Sequence, residues 1–314
     1  MYDNEEKLMA KIAILFYEQG YTQEEIGKML GMSRLQVHRR LRAAIETRVV
    51  RVKIESEFRE GILIEDKLKE LFGLKEVLVV ENMGDPEKTK EYIARGAADL
   101  LMRNLVDHDF LGVSWGSTVR MVPDFLPKKD FRGVKVGNIV GGLSELGDLG
   151  AQQVAMNIAN KLNATTKLLS LPFMVQSAAA KSAIFSDEYV QQDIKAFKNC
   201  DICLVGIGYV GQDFYKGLYK AESQISGDEA VGEIVGRYFD LDGNIVKNNP
   251  NEDRIIGLTL DDLKRVPISI GAAGGIEKCR AIAGALRGRY INCLVTDLRT
   301  AEAIIKLEES IGEK

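Results

Sequence analysis

Residues 21–41, YTQEEIGKMLGMSRLQVHRRL, set two short amphipathic segments either side of a glycine and load the second with arginine. Thr22 followed by Glu25 is a capping-box pattern that opens a helix over QEEIGKML. Ile26 and Leu30, four apart, give that helix its apolar face. Gly31 can take the positive φ that a sharp reversal needs. Ser33 then caps a second helix, in which Val37 and Leu41 repeat the four-residue spacing. Two helices joined in this way form a helix-turn-helix, whose second helix lies in the major groove of DNA.

The charge pattern supports that reading. Residues 1–54 carry ten Lys/Arg against seven Asp/Glu, a net +3, so the remainder of the chain carries −7. Residues 33–54 alone reach +6. A small basic module on an acidic body points to a polyanion partner for the module. Arg34, Gln36 and His38 are polar, early on the second helix and expected to face outward; Arg and Gln can pair bidentately with guanine and adenine. Arg39, Arg40 and Arg42 are expected at phosphates, with Ser33 at the helix start. The alternative is a solvated helical hairpin. Upstream, Leu8, Ile12, Leu15 and Phe16 fall on one stripe of a supporting helix. Downstream, RVVRVKIE (48–55) alternates as a short strand.

Working outward, 314 residues suit about two domains. Hydrophobic content of 46% and charged content of 28% are those of a globular chain. No apolar run approaches the ~20 residues of a membrane span, and the acidic, polar start is unlike a secretory signal. The four cysteines lie in apolar stretches without disulfide-like spacing, so a reduced, cytoplasmic protein is expected. A helix over about 62–72 leads to the strand EVLVV (76–80), and from there strands and helices alternate. The other expected strands are FLGVS (110–114), VKVGNIV (134–140), KLLSL (167–171), ICLVGIG (202–208), PISIG (267–271) and INCLVTD (291–297). This is an α/β pattern: a Rossmann-like parallel sheet covered on both faces. Several strands run into Gly-rich turns at 115–117, 141–142, 206–208 and 272–275. Ligands of open α/β sheets sit beyond the carboxyl ends of the strands, where backbone N–H groups favour anions.

Taken in order, the quoted helix-turn-helix, GVSWGSTV (112–119), LVGIG (204–208), AVGEIVGRYFDLDGNIV (230–246), DRIIGLTLDDL (253–263) and AAGGIEKCRAIAGALRGRYINCLVTDLRTAEAII (272–305) resemble SorC-family transcriptional regulators over nearly the whole chain. The resemblance implies a DNA-binding domain over 1–54 and an effector-binding, oligomerising domain over 55–314 that is similar to phosphosugar isomerases and deaminases. It implies a cytoplasmic repressor-type protein that binds operator DNA as a homodimer or homotetramer and takes a sugar or sugar-phosphate effector, with no cofactor, metal or membrane partner. Gly116, Ser117 and Thr118 match the family's phosphate cradle, and Lys278 a lysine used toward the phosphate. Glu233 and Gln152 match positions facing effector hydroxyls. The turn glycines Gly141, Gly142, Gly206 and Gly208 complete the expected effector site.

One position departs from the family pattern. Val140 stands before Gly141-Gly142, where a basic residue is found. Valine can neither hold a second phosphate nor form a Schiff base. The rival reading is an isomerase-like or deaminase-like enzyme with an appended DNA-binding domain. It would need a carboxylate base and a cation near a developing enediolate. Asp187, Asp213 and Lys181 are available, yet nothing in their spacing singles them out. His38 and His108 are the only histidines, too few for a histidine-based triad or metal site. CDIC (200–203) has redox-motif spacing but runs into a strand, where residues three apart face opposite sides; buried structural thiols are expected.

Overall fold

A computed structural model describes residues 4–53, 56, 58–143, 150–210, 229–247, 249 and 251–312. The chain divides into two compact units, Met1–Arg59 and Glu60–Lys314.

The first unit is built from α1 (Asn4–Ala13), which runs into a π-helical turn at Ile14–Glu18, α2 (Gln23–Leu30) and α3 (Arg34–Glu46). Both α2 and α3 open on reciprocal capping boxes, Thr22 with Glu25 and Ser33 with Gln36. Gly31 closes α2 at φ 66°, the left-handed conformation glycine adopts without a Cβ penalty. Ile12, Ile26 and Val37 are fully buried and form a core with Ala13 and Leu41. Each of the large aliphatic side chains contributes about 1.5–3 kcal/mol. Residues 48–53 are not the expected strand. Val50 donates its N–H to Ala44 and packs on the three-helix core. An isolated strand has no ladder partner for its backbone, so packing of one valine decides the local path.

The second unit begins with α4 (Arg59–Phe72) and β1 (Glu76–Val80), then α5 (Pro86–Asn104), β2 (Phe110–Val113), α6 (Val122–Phe125) and β3 (Lys135–Asn138). It continues through α7 (Ala151–Leu162), β4 (Thr165–Thr166), α8 (Ala178–Phe185), α9 (Glu188–Lys198) and β5 (Ile202–Val205). The last part holds β6 (Gly208–Tyr209), β7 (Gly232–Ile234), β8 (Arg237–Phe239), α10 (Leu260–Leu263), β9 (Ile268–Ala272), α11 (Cys279–Arg287), β10 (Cys293–Asp297) and α12 (Leu298–Gly312). Seven strands form a parallel sheet in the order β1-β10-β9-β5-β2-β3-β4. Its central strands are buried on both faces. Along β5, Ile202 and Leu204 join one apolar cluster with Ile93, Leu101 and Ile158 of α5 and α7. Cys203 and Val205 join the other with Phe197, Ile282 and Ile304 of α9, α11 and α12. The two-residue period of a strand thus divides its side chains between two cores.

Two parts of the sheet depart from expectation. KLLSL does not form a strand; the edge strand β4 is only Thr165–Thr166. Beyond it, the fully buried Asn138 takes over the ladder. Its Oδ1 accepts the N–H of Leu169 at 2.9 Å, and its Nδ2 donates to the carbonyls of Leu169 and Val140. The second departure is a three-stranded antiparallel sheet, β6-β7-β8, which the sequence reading did not foresee. Its β7–β8 hairpin turns on Val235 at φ 51° and Gly236 at φ 79°. A β-branched residue in the left-handed region costs on the order of 1–3 kcal/mol, and Val235 carries none of the Asn-Gly signal of such turns.

Candidate functional site

The carboxyl ends of β2, β5 and β9 open into one cleft. The loop after β2 supplies Trp115 through Thr118, the loop after β5 supplies Gly206 through Gly208, β7 supplies Glu233, and the β9 end supplies Ala272 and Lys278. Buried Ser114 locks two of these loops together: its hydroxyl accepts the N–H of Gly206 at 3.2 Å and lies 3.1 Å from the carbonyl of Trp115. Sequence reading passed over Ser114, because a lone serine in a strand carries no signal of its partner. Trp115 packs edge-on against Phe173, ring centroids 4.6 Å apart.

Gly116 adopts φ 141°, open mainly to glycine, and the residues that follow it, Ser117 and Thr118, line the cleft. Among the described residues, the Ser117 and Thr118 side chains have no hydrogen-bond partner. The chain continues in a 3₁₀ turn, Val119–Met121, and the four-residue α6 rather than in a long helix. The loop after β2 therefore does not lead into the N-terminus of a long helix. Opposite, the Lys278 amine donates to the Ile207 carbonyl at 2.9 Å. Burial pushes its pKa below the ordinary lysine value; the Glu233 carboxylate opposes that shift and Lys90 adds to it. Glu233 is a buried strand residue, 4% exposed. Its Oε2 accepts the Gly236 N–H at 2.8 Å, and a Cβ on Gly208 would sit 2.3 Å from its Oε1. The absent side chain at 208 is what lets this carboxylate reach the cleft.

Gly141, Gly142 and Gln152 do not line this cleft. Gly141 fits tightly against Pro172, where a Cβ would meet the carbonyl oxygen at 2.3 Å. Gln152 lies against Gly142 and donates to the Leu169 carbonyl at 3.2 Å. These three residues serve the end of β3 in this arrangement. Val140 is fully buried and bridged to Gly257, also away from the cleft. Of the groups considered for catalysis, Asp187 caps α9 through the N–H groups of Tyr189 and Val190. Lys181 faces the Glu252 carbonyl, its pKa lowered by burial and then by Arg237. Asp213 lies outside the described residues. The Cys200 and Cys203 thiols do not face opposite sides: Cys200 precedes β5, and their sulfurs meet 3.2 Å apart in the core. The neighbouring thiol and burial hold the Cys203 pKa well above its usual value.

On α3, Arg34, Gln36, His38, Arg39 and Arg42 are exposed opposite buried Val37, Leu41 and Ala44. Gln36 has a second task, because its Oε1 accepts the Ser33 N–H at 2.8 Å. Arg40 is turned away from the exposed face. It lies 4.0 Å from Glu5 of α1, and its Nε is buried without a hydrogen-bond partner among the described residues.

Residues 56–306 match the family described as a sugar-binding domain, and residues 10–47 match sigma-70, region 4. The sorbitol operon regulator of Klebsiella pneumoniae is 32% identical over 311 residues, covering 96% of this chain and 98% of its own. The chain belongs to the SorC family. The deoxyribonucleoside regulator of Bacillus subtilis is 31% identical, covering 96% of this chain and 97% of its own. The crystal structure of full-length SorC from K. pneumoniae superposes with a TM-score of 0.74 at 30% identity, covering 96% of this chain and all of that one. Like these SorC-family relatives, the protein is a transcriptional regulator with a DNA-binding helix-turn-helix region and a sugar-binding domain, not an enzyme. Among the described residues, no helix is long and apolar enough to cross a membrane.

Proposed function

We propose that α3 reads a two-fold operator and that a sugar monophosphate in the cleft shifts the affinity for that DNA. Residues 1–54 form the DNA-binding domain, and residues 55–314 bind the effector and hold a homodimer or homotetramer together. The observation that carries the effector reading is the convergence of Ser117, Thr118, Lys278 and Glu233 on one cleft from separate elements. Gly116, Ser117, Thr118 and Lys278 hold the phosphate, the glycines at 206 and 208 give the sugar access, and Glu233 accepts its hydroxyls. Lys278 is the cationic side chain on the cleft lining among the described residues, which suits one phosphate rather than two. Charge-assisted hydrogen bonds are about twice as strong as neutral ones, so the phosphate dominates affinity.

On α3, Arg34 and His38 reach base edges while Arg39 and Arg42 meet phosphates. Effector and operator are then coupled through their differential affinities for two arrangements of the protein. Calorimetry with a panel of sugars, polyols and their mono- and bisphosphates tests the effector reading. A monophosphate binding best, with the preference removed in K278A, supports it. Equal affinity for free and phosphorylated forms replaces it with a free sugar or polyol effector. Light scattering on residues 60–314 tests the assembly reading; a monomer at micromolar concentration contradicts it.

A further inference from the structure

Leu35 is the second residue of α3 and is 57% exposed, between Arg34 and the capping Gln36. Large apolar side chains at the start of a short amphipathic helix normally turn inward. Here the inward places are already filled by Val37, Leu41 and Ala44. Leu35 shares the outward face with His38, Arg39 and Arg42, which follow at three, four and seven positions, a single stripe on a helix. An exposed leucine at the head of a cationic stripe has a poor partner in water and a good one in the major groove. Thymine is the base that presents an apolar group there, its 5-methyl, and apolar side chains read it by contact.

We infer that Leu35 reads thymine 5-methyl groups of the operator. The inference rests on α3 entering the major groove, as proposed above. It also redistributes the roles on the helix. Gln36 has its carboxamide oxygen engaged by the Ser33 N–H, so the base-reading face consists of Arg34, Leu35 and His38. Arg39 and Arg42, farther along the same stripe, hold the phosphates on either side. The operator half-site accordingly places one or more thymines where the N-terminus of α3 enters.

The test uses the full-length protein and a duplex recovered by selecting bound sequences from a random library. Each thymine is replaced in turn by deoxyuridine, which removes the methyl group and keeps the base pairing. At the thymine facing Leu35, wild-type affinity measured by anisotropy falls roughly fourfold, the equivalent of about 0.8 kcal/mol for one buried methyl-sized group. Leu35→Ala, a substitution that favours the helix, weakens binding to the thymine duplex and no longer distinguishes it from the uracil duplex. Arg39→Ala weakens both duplexes and keeps their ratio. If wild type and L35A respond equally to uracil at every position, the inference falls while α3 keeps its groove. An L35A protein with a changed mass in light scattering and unchanged methyl discrimination makes Leu35 a contact between copies and also overturns it. Failure to recover any preferred duplex removes the major-groove reading itself, and the inference with it.

Discussion

The Lys278 amine is hydrogen-bonded to the Ile207 carbonyl at 2.9 Å, tying the loop after β9 to the loop after β5 across the cleft. The phosphate proposed for this cleft would compete for an amine that burial already discourages from holding its charge. Such a ligand would act on the link between two strand-end loops as well as on one side chain.

Effector affinity therefore falls as pH rises through the lowered Lys278 pKa, at a pH below the ordinary lysine value of 10.5. The phosphate favours the ammonium, so binding in that window takes up a proton. Stability without effector moves the opposite way. The unfolded chain holds the proton more tightly there, so stability rises with pH between the folded and unfolded values. Calorimetry in buffers of different ionisation enthalpy measures the uptake, which disappears in K278M.

Gly208→Ala places a Cβ 2.3 Å from the Glu233 Oε1 position and drives the carboxylate out of place. The expected loss is tenfold or more in effector affinity, about 1.4 kcal/mol, with operator binding in the absence of effector unchanged. Trp115, the chain's single tryptophan, lines the cleft and reports the titration by its fluorescence.

Ser33→Ala and Gln36→Ala each break half of a reciprocal cap, whose hydrogen bonds span 3.2 and 2.8 Å. Each substitution costs about 1 kcal/mol of helix stability, and the weakened DNA binding tracks a lowered melting temperature of the first unit. Arg42→Ala weakens all duplexes alike and reduces the slope of affinity against salt by about one phosphate contact. Arg40→Ala, at a residue turned toward Glu5, leaves that slope unchanged. Anisotropy titrations across a salt series separate the three behaviours.

Glu65 of α4 accepts the N–H of Val79 on edge strand β1 at 2.8 Å, and burial raises its pKa above 4.5. A carboxyl whose folded pKa is raised gives stability that is complete below the unfolded value and lost as pH rises through the folded one. Glu65→Gln keeps the acceptor and removes the charge, so its melting temperature at neutral pH rises and the acid-side slope flattens. Glu65→Ala removes the acceptor and costs about 1 kcal/mol.

The parts of the molecule written in local pattern were readable from the sequence. Thr22/Glu25 and Ser33 announced both helix starts, Gly31 the turn, and the apolar runs the central strands of the sheet. The cleft was legible in its glycine turns and in GSTV, because strand-end loops must bring bare backbone together. What escaped depends on partners distant in sequence. Asn138 ends the β4 ladder through Leu169, thirty-one residues away. Glu233 is a strand residue because a valine accepts a left-handed turn, which no local preference predicts. Arg40 counted as one of a run of arginines until Glu5 drew it aside. The cysteines at 200 and 203 meet because the first of them lies before the strand begins, a boundary that composition does not mark.

Strand β10, close to the end of the chain, is inserted between β1 and β9. Glu76 pairs with Cys293, so the first strand of the sheet waits for a neighbour made roughly 200 residues later. At a synthesis rate of about 5–20 residues per second, that wait is roughly 10 to 40 seconds on the ribosome. The helix-turn-helix has no such delay, since its core closes within the first fifty residues. A nascent chain thus completes its helix-turn-helix core before the sheet that carries the cleft can close. A message truncated ahead of β10 leaves a helix-turn-helix whose core can close and a parallel sheet whose first strand has no neighbour.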